Sequence, residues 1–118
     1  MDVSRQDAET WAPWFRALGE PSRILILNLL ATERRAMSVG EIVEALDLAQ
    51  STVSHHLKIL GEVRFVLVER VSTSSSWRIN ERCLSCFPST AEVVMGRIPA
   101  GVSPWDEPAS TDRTGRRT

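Results

Sequence analysis

Residues 50–60 read QSTVSHHLKIL. In a helix with about 100° per residue, this segment places Val53, Leu57 and Leu60 on one apolar arc. His56 falls beside that arc, so we expect a satisfied, partly buried histidine there rather than a ligand. The opposite arc is polar and comprises Ser51, Ser54, His55 and Lys58. The segment therefore predicts a helix that packs on a core through one face and offers short polar side chains on the other.

A shorter helix is predicted immediately before this segment. Ser38 and Glu41 have the Ser-x-x-Glu spacing of a capping box, in which each side chain satisfies a free backbone N–H of the first helical turn. That helix stops at residues 47–49, which leaves only a short connection to Gln50. Two short helices joined so tightly are typical of a helix-turn-helix, whose second helix enters the major groove of DNA.

The pattern after Gly61 predicts a β-hairpin followed by a last helix. Residues 65–71 are rich in β-branched side chains, residues 72–76 form a serine-rich tip, and residues 77–80 return. Asn80 is expected to cap the last helix, which restarts after Pro88 with a second capping box at residues 89–92.

Two further helices are predicted before the helix-turn-helix. Pro13 is expected to kink or restart the first, and Pro21 suits the first position of the second. Apolar residues on nearly every face of residues 24–31 predict a central buried helix. The first helix has an aromatic face, either core or subunit interface, formed by Trp11, Trp14, Phe15 and Leu18. The element order predicts a mainly α fold with a small β-hairpin, a winged helix-turn-helix.

The composition indicates one globular domain, because 42% of the 118 residues are hydrophobic and 25% are charged. We place this domain at residues 1–98 and expect residues 99–118 to form a disordered tail. No apolar run approaches the roughly 18–20 residues of a membrane span, and the polar N-terminus does not resemble a secretory signal. The sequence thus predicts a cytoplasmic protein with no membrane partner. It is not expected to be an enzyme, because no catalytic triad, phosphate loop or carboxylate pair can be assembled.

The polar residues of the segment at 50–60 are the candidate DNA contacts. Gln can pair bidentately with adenine, Ser and Thr can reach bases or phosphates, and Lys can reach a phosphate. In the hairpin, Arg70 and the tip residues around Ser74 would add phosphate contacts. The candidates on the helix are Gln50, Ser51, Thr52, Ser54, His55 and Lys58. A net charge of −1 argues in the other direction, so a protein-binding module that has lost DNA binding stays open.

Two segments of the chain resemble the ArsR/SmtB family of bacterial metal-responsive repressors. Residues 15–25 read FRALGEPSRIL and join residues 50–60 in a matching order that covers roughly residues 11–95. The resemblance implies a homodimer that is joined through its first and last helices and is released from double-stranded operator DNA by an inducer. The interface residues implied on those helices are Trp11, Trp14, Phe15, Leu84, Phe87 and Val94.

The chain departs from the family at three places. Ala49 stands where the family usually has a capping Ser, a loss of about 1 kcal/mol of helix stability. Arg64 stands where Gly commonly follows the recognition helix. The thiol motif that many family members carry at the start of the third helix is replaced by residues 37–40, which read MSVG. The usual sensor site is therefore missing.

Cys83 and Cys86 offer a different sensor site. They lie three residues apart on one face of the predicted last helix, and thiolates favour soft ions. Two thiolates suffice for Hg(II) or an organoarsenical, whereas inorganic As(III) needs a third ligand from elsewhere in the protomer or its partner. The leading hypothesis is a repressor in arsenic or mercury resistance that releases DNA when such an inducer binds, with no permanent cofactor. Two alternatives stay open, namely buried free thiols without a sensing role and a thiol that responds to oxidation or persulfides.

Overall fold

The computed structural model describes residues 3–97, and its elements follow the order α-α-β-α-α-β-β-α. The helices are α1 (Arg5–Ala17), α2 (Pro21–Glu33), α3 (Val39–Leu46), α4 (Gln50–Glu62) and α5 (Glu81–Val94). The strands are β1 (Met37–Ser38), β2 (Val66–Val71) and β3 (Ser74–Ile79). This arrangement confirms the mainly helical fold with a β-hairpin. The tail at residues 99–118 lies outside the described residues, and the domain boundary at residue 98 stays a prediction.

The core lies where α2, α3 and α4 pack together and against the sheet. Each of the three helices buries an apolar stripe, and the sheet adds one or two residues from each strand. The largest fully buried side chains include Ile26, Leu30, Ile42, Val53, Leu57 and Leu60. The apolar arc predicted for residues 50–60 thus fixes α4 to the rest of the domain.

Helix α2 is not buried on nearly every face, contrary to the sequence prediction. Ile26 and Leu30 are inaccessible, but Ile24 and Leu25 are each 50% exposed within one chain. Successive residues of a helix point about 100° apart, so a helix packed on one side of a core turns some apolar residues outward. The periodicity of a continuous apolar run cannot reveal which side that is.

Both internal prolines lie within continuous helices. Helix α1 runs through Pro13, and α5 runs through Pro88, so the restart predicted at residues 89–92 is wrong. In α5, the buried residues Cys86, Thr90 and Val93 lie on both sides of the proline at helical spacing. Burial of this common face offsets the roughly 3 kcal/mol that an internal proline costs. One continuous helix is the result.

The sheet contains a third strand that the sequence did not predict. Strand β3 lies between β1 and β2, and both pairs are antiparallel. Met37 pairs with Trp77, which joins the start of the helix-turn-helix to the hairpin. The hairpin tip is also shorter than expected: Val71 pairs with Ser74, so residues 72–73 alone form the loop. The remaining serines of the predicted tip extend β3, because antiparallel pairing satisfies their backbone groups.

The two helices of the helix-turn-helix, α3 and α4, differ in how their N-termini are capped. The capping box of α3 is present, with the Ser38 hydroxyl accepting from the Glu41 N–H at 3.1 Å and the Glu41 carboxylate accepting from the Ser38 N–H at 2.9 Å. Helix α4 begins after Ala49, which supplies no side-chain hydrogen bond.

Among residues 3–97, none of the helices combines the length and apolarity that a bilayer crossing requires.

Replacing Arg64 by Gly should raise the free energy of unfolding by about 1 kcal/mol. Helix α4 ends in a Schellman motif, in which the N–H groups of Arg64 and Phe65 donate to the carbonyls of Gly61 (3.1 Å) and Leu60 (3.0 Å). Arg64 adopts a φ of 67° there, in a region that favours glycine. Urea denaturation at fixed protein concentration measures the change. As a control, Arg70→Gly removes an exposed arginine from a strand and should lower the free energy of unfolding. A lower free energy of unfolding in Arg64→Gly would contradict the prediction.

Candidate nucleic-acid interface

Helix α4 presents the polar arc predicted from its sequence. Leu57 and its apolar neighbours face the core, while five of the six candidate contact residues on α4 are exposed and Thr52 is half-buried. The exposed ones are Gln50, Ser51, Ser54, His55 and Lys58. Within residues 3–97 the side chains of Gln50, Ser51, Ser54 and Lys58 have no hydrogen bond or ion pair. These groups are therefore available to a partner, and Glu62, exposed at the C-terminal end of α4, is the one carboxylate of the helix on this side.

The hairpin adds a second exposed polar surface. Arg70 on β2 and Ser74 at the start of β3 are both exposed, as are the two tip residues between the strands. Glu69 and Arg78 neutralise each other through an ion pair of 2.6 Å. Arg70 makes no such pair within the described part of the chain. The guanidinium of Arg70 therefore remains available as a cation near the tip.

A polar junction joins the end of α1, the start of α2 and the middle of α4. Glu20 caps α2, and its Oε1 accepts from the N–H groups of Ser22 (2.6 Å) and Arg23 (3.2 Å). The Arg23 guanidinium donates to the Ala17 carbonyl at the end of α1, and its Nη1 lies 3.3 Å from Nδ1 of His56. The Nε2 of His56 lies 3.6 Å from the Glu20 carboxylate. The sequence did not predict this junction, although the charged residues at the start of the otherwise apolar α2 could have indicated it.

His56 is buried, as its position beside the apolar arc predicts, and is 8% exposed. Burial lowers the pKa of His56 and outweighs the carboxylate of Glu20, which raises it; Arg23 and His55 lower the pKa further. Because the uncharged imidazole is favoured, Nδ1 can accept a hydrogen bond from Arg23. The neighbouring ring of His55 lies 5.5 Å away between ring centres and stays on the exposed arc.

The two cysteines lie on α5 in different environments. Cys86 is buried at 4% exposure, and Cys83 is half-buried; both are free thiols. Cys83 also lines an apolar groove of about 300 Å³ between α2 and α5, together with residues that include Ile24, Leu27 and Leu84. Within residues 3–97, no cluster of three or more His, Cys, Asp or Glu side chains could hold a metal ion. The described part of one chain therefore offers a pair of sulfur ligands and no third ligand beside them.

Cys83 should react slowly with iodoacetamide in the metal-free protein at pH 8. Burial, and to a lesser degree Cys86, raises the pKa of the Cys83 thiol to about 11 from an ordinary value of 9.0. The thiolate is the reacting form; well below both pKa values, Cys83 therefore holds roughly a hundredth of the thiolate of a free cysteine. Its alkylation should accelerate as the pH rises towards 11, and tandem mass spectrometry resolves it from Cys86. Alkylation of Cys83 at pH 8 as fast as that of a model peptide would contradict the prediction.

Helices α1 and α5 contact each other through aromatic side chains. The ring of Phe87 lies 5.1 Å from Phe15 and 5.4 Å from Phe65 between ring centres. Trp11, expected at a subunit interface, is only 6% exposed within one chain, so most of its surface is already covered by the protomer. Trp14 and Phe87 are half-buried, and the exposed members of the predicted interface are Phe15, Leu84 and Val94.

Sequence comparison places this architecture among known regulators. Residues 20–67 match the family described as "Bacterial regulatory protein, arsR family". An uncharacterized HTH-type transcriptional regulator of Methanocaldococcus jannaschii is 42% identical over 65 residues, which cover 55% of this chain and 72% of the relative. A transcriptional repressor SmtB homolog of Synechocystis is 36% identical over 69 residues, which cover 58% of this chain and 51% of that relative.

A solved structure has the same fold. The homodimeric winged helix-turn-helix DNA-binding domain of a possible ArsR-family regulator from Mycobacterium bovis superposes with a TM-score of 0.60 at 25% identity. The match covers 80% of this chain and 93% of that domain. These relatives are transcriptional regulators and not enzymes. The chain carries the matched helix-turn-helix and wing, and it belongs to the ArsR/SmtB family of winged helix-turn-helix transcriptional regulators.

Proposed function

We propose that this protein is a dimeric repressor that inserts α4 into the major groove of operator DNA. The observation that carries the proposal is the exposed polar arc of α4, whose side chains make no hydrogen bond or ion pair within the described residues. Unpaired amide, hydroxyl and ammonium groups on a rigid helix match the donors and acceptors of base edges and phosphates. The buried stripe of α4 holds that arc in a fixed orientation.

The contacts divide into base recognition and backbone positioning. Gln50, at the N-terminus of α4, is suited to a bidentate contact with adenine, and Ser51 and Ser54 can reach base edges or phosphates. Lys58 and Arg70 provide phosphate contacts from the helix and the wing. Thr52, His55 and Ser74 are further candidates on these surfaces.

A homodimer would place two copies of α4 on successive half-sites of one operator. Such half-sites lie about 34 Å apart, one turn of DNA. The exposed apolar residues Phe15, Leu84 and Val94 on α1 and α5 supply surface that a second copy would cover. The M. bovis domain is described as homodimeric, which supports the same assembly here.

Selection from random duplex DNA, followed by anisotropy titrations over a salt series, tests the DNA-binding proposal. A dimer should select a palindrome, and its affinity should fall steeply with salt because phosphate contacts release counterions. Lys58→Gln should lower the salt slope by about 1 for each lost contact. Arg5→Gln, which removes the same charge from an exposed site on α1, should leave the slope unchanged. Failure to enrich any sequence would overturn the proposal in favour of a protein-binding module.

We further propose that Cys83 and Cys86 hold the inducer, a soft species that needs only two thiolates from the protein, such as Hg(II) or a monomethylated As(III). The donor set fits, because two thiols three residues apart on one helix can bind the same thiophilic centre. The apolar groove beside Cys83 gives room for an organic substituent. The raised pKa of Cys83 means that binding displaces a proton and strengthens as the pH rises. It also disfavours an oxidation sensor, since such cysteines are usually of low pKa and accessible.

Metal titration of the operator complex tests the inducer site. Thiol-to-metal absorbance should appear in step with release of DNA from the wild-type protein when Hg(II) or monomethylated As(III) is added. The Cys83→Ser/Cys86→Ser double variant should bind DNA normally and show neither signal. Release of DNA from the double variant at the same inducer concentration would overturn the assignment, and release by peroxide or sulfide alone would favour thiol modification.

A further inference from the structure

The side chain of Arg23, which belongs to α2, contacts two other parts of the fold. Its guanidinium donates to the carbonyls of Ala17 and, at 3.5 Å, Arg16 at the end of α1, and its Nη1 reaches His56 on α4. The last carbonyls of a helix lack partners within that helix and carry partial negative charge, so a cation placed there is stabilised. The backbone N–H of Arg23 is itself bound by Glu20. One side chain thus links α1, α2 and the recognition helix.

His56 lies at the boundary between this junction and the candidate DNA surface. Its imidazole is buried, while His55 beside it and Ser54 before it are exposed on the polar arc. A displacement of His56 would therefore move that arc, because α4 is a continuous helix through these positions. The planar guanidinium of Arg23 offers several donors in fixed directions, which restricts the orientations that the imidazole can take.

We infer that Arg23 is a positioning residue that sets the orientation of the recognition helix relative to α1 through the imidazole of His56. The inference rests on the proposed function in so far as α4 is the DNA-binding helix. Glu20 supports the arrangement by binding the backbone of α2 and facing the other ring nitrogen of His56. The charged and titratable groups facing His56 are Glu20, Arg23 and His55. Since α1 belongs to the proposed dimer interface, the junction links that interface to the spacing and angle of the two recognition helices.

A double-mutant cycle with Arg23→Met and His56→Leu tests the inference by anisotropy with the selected operator. Each single variant should bind DNA about tenfold more weakly, and the double variant should also lose about tenfold rather than a hundredfold, because both changes remove one interaction. Arg16→Met is the matched control, since its exposed side chain makes no hydrogen bond or ion pair within the described residues and only its carbonyl accepts from Arg23. His56→Asn should recover most of the affinity, because its Oδ1 can accept from Arg23. Losses that multiply to a hundredfold, or unchanged affinity in folded single variants, would overturn the inference.

Thermal unfolding and hydrogen exchange separate positioning from a general loss of structure. Folded Arg23→Met should exchange the amides of α4 about tenfold faster, with the amides of α3 unchanged; equal effects on both helices would overturn the inference. If Arg23→Met does not fold, Arg23→Lys replaces it, with the same expectations. The exchange measurement needs no DNA. Absence of DNA binding by the wild-type protein would therefore refute the proposed function, while the exchange rates would still decide whether Arg23 holds α4.

Discussion

Ser54→Glu is expected to weaken operator binding at least about 100-fold, because a carboxylate placed against DNA is repelled by phosphates at a cost of several kcal/mol. Ser54 is exposed on the polar arc of α4 and has no partner within the described residues, so its replacement should not disturb the fold. In a homodimer the change would occur in both half-sites, which doubles the penalty. Anisotropy titration with the selected operator measures the loss, and the melting temperature should stay close to that of the wild type.

The matched control for this experiment is Gln6→Glu. It adds the same charge at an exposed position in the first turn of α1, where a carboxylate is favourable to the helix dipole. Its operator affinity should remain within about twofold of the wild type, because screening at physiological salt limits exposed charges to a range of about 8 Å. Equal losses in the two variants would show that net charge, rather than contact by α4, governs binding.

Leu57→Ala is expected to lower the free energy of unfolding by about 2–5 kcal/mol. Leu57 is fully buried in the stripe that joins α4 to the core, and its truncation leaves a cavity among the fully buried side chains of the core cluster. Since the free energy of unfolding of a small domain is about 5–15 kcal/mol, this single change would remove a large part of it. Urea denaturation followed by circular dichroism, at fixed protein concentration, measures it.

His55→Ala provides the comparison for Leu57→Ala. His55 lies two residues earlier on the same helix but is exposed, so the change should alter stability by about 0.5 kcal/mol or less. It should instead weaken DNA binding if His55 contacts the operator. A loss of stability in Leu57→Ala no greater than that in His55→Ala would contradict the burial of this stripe.

The helix-turn-helix could be predicted from sequence because its signals are local. The capping box at Ser38 and Glu41 lies within four residues, and the apolar arc of α4 repeats with the period of a single helix. The position of Arg64 was indicated by the resemblance, because the family commonly has Gly there, and the structure gives Arg64 a φ of 67°. Four of the candidate contacts on α4 were selected by the same periodicity, and the structure leaves all four exposed, namely Ser51, Ser54, His55 and Lys58.

Other features depended on partners distant in the chain. Strand β1 has two residues and exists because β3, nearly forty residues later, offers it backbone partners. From the neighbouring residues alone, Pro88 was predicted to interrupt the last helix. Burial of side chains on both sides of the proline keeps α5 continuous. The exposure of Ile24 and Leu25 could likewise not be predicted, because the apolar run that contains them has no polar side to mark the exposed face.

The sequence by itself determined the family, the order of the helices and hairpin, and the polar arc of the recognition helix. The family was identified from residues 15–25 and 50–60, while the elements and the arc follow from hydrogen bonds and side-chain periodicity within single elements. Only the tertiary structure decided that Arg23 meets His56, 33 residues away, and that Trp11 is covered within its own chain. Such contacts arise when separate elements pack on a common core, and their free energy comes from burial and pairing across the fold rather than from neighbouring residues.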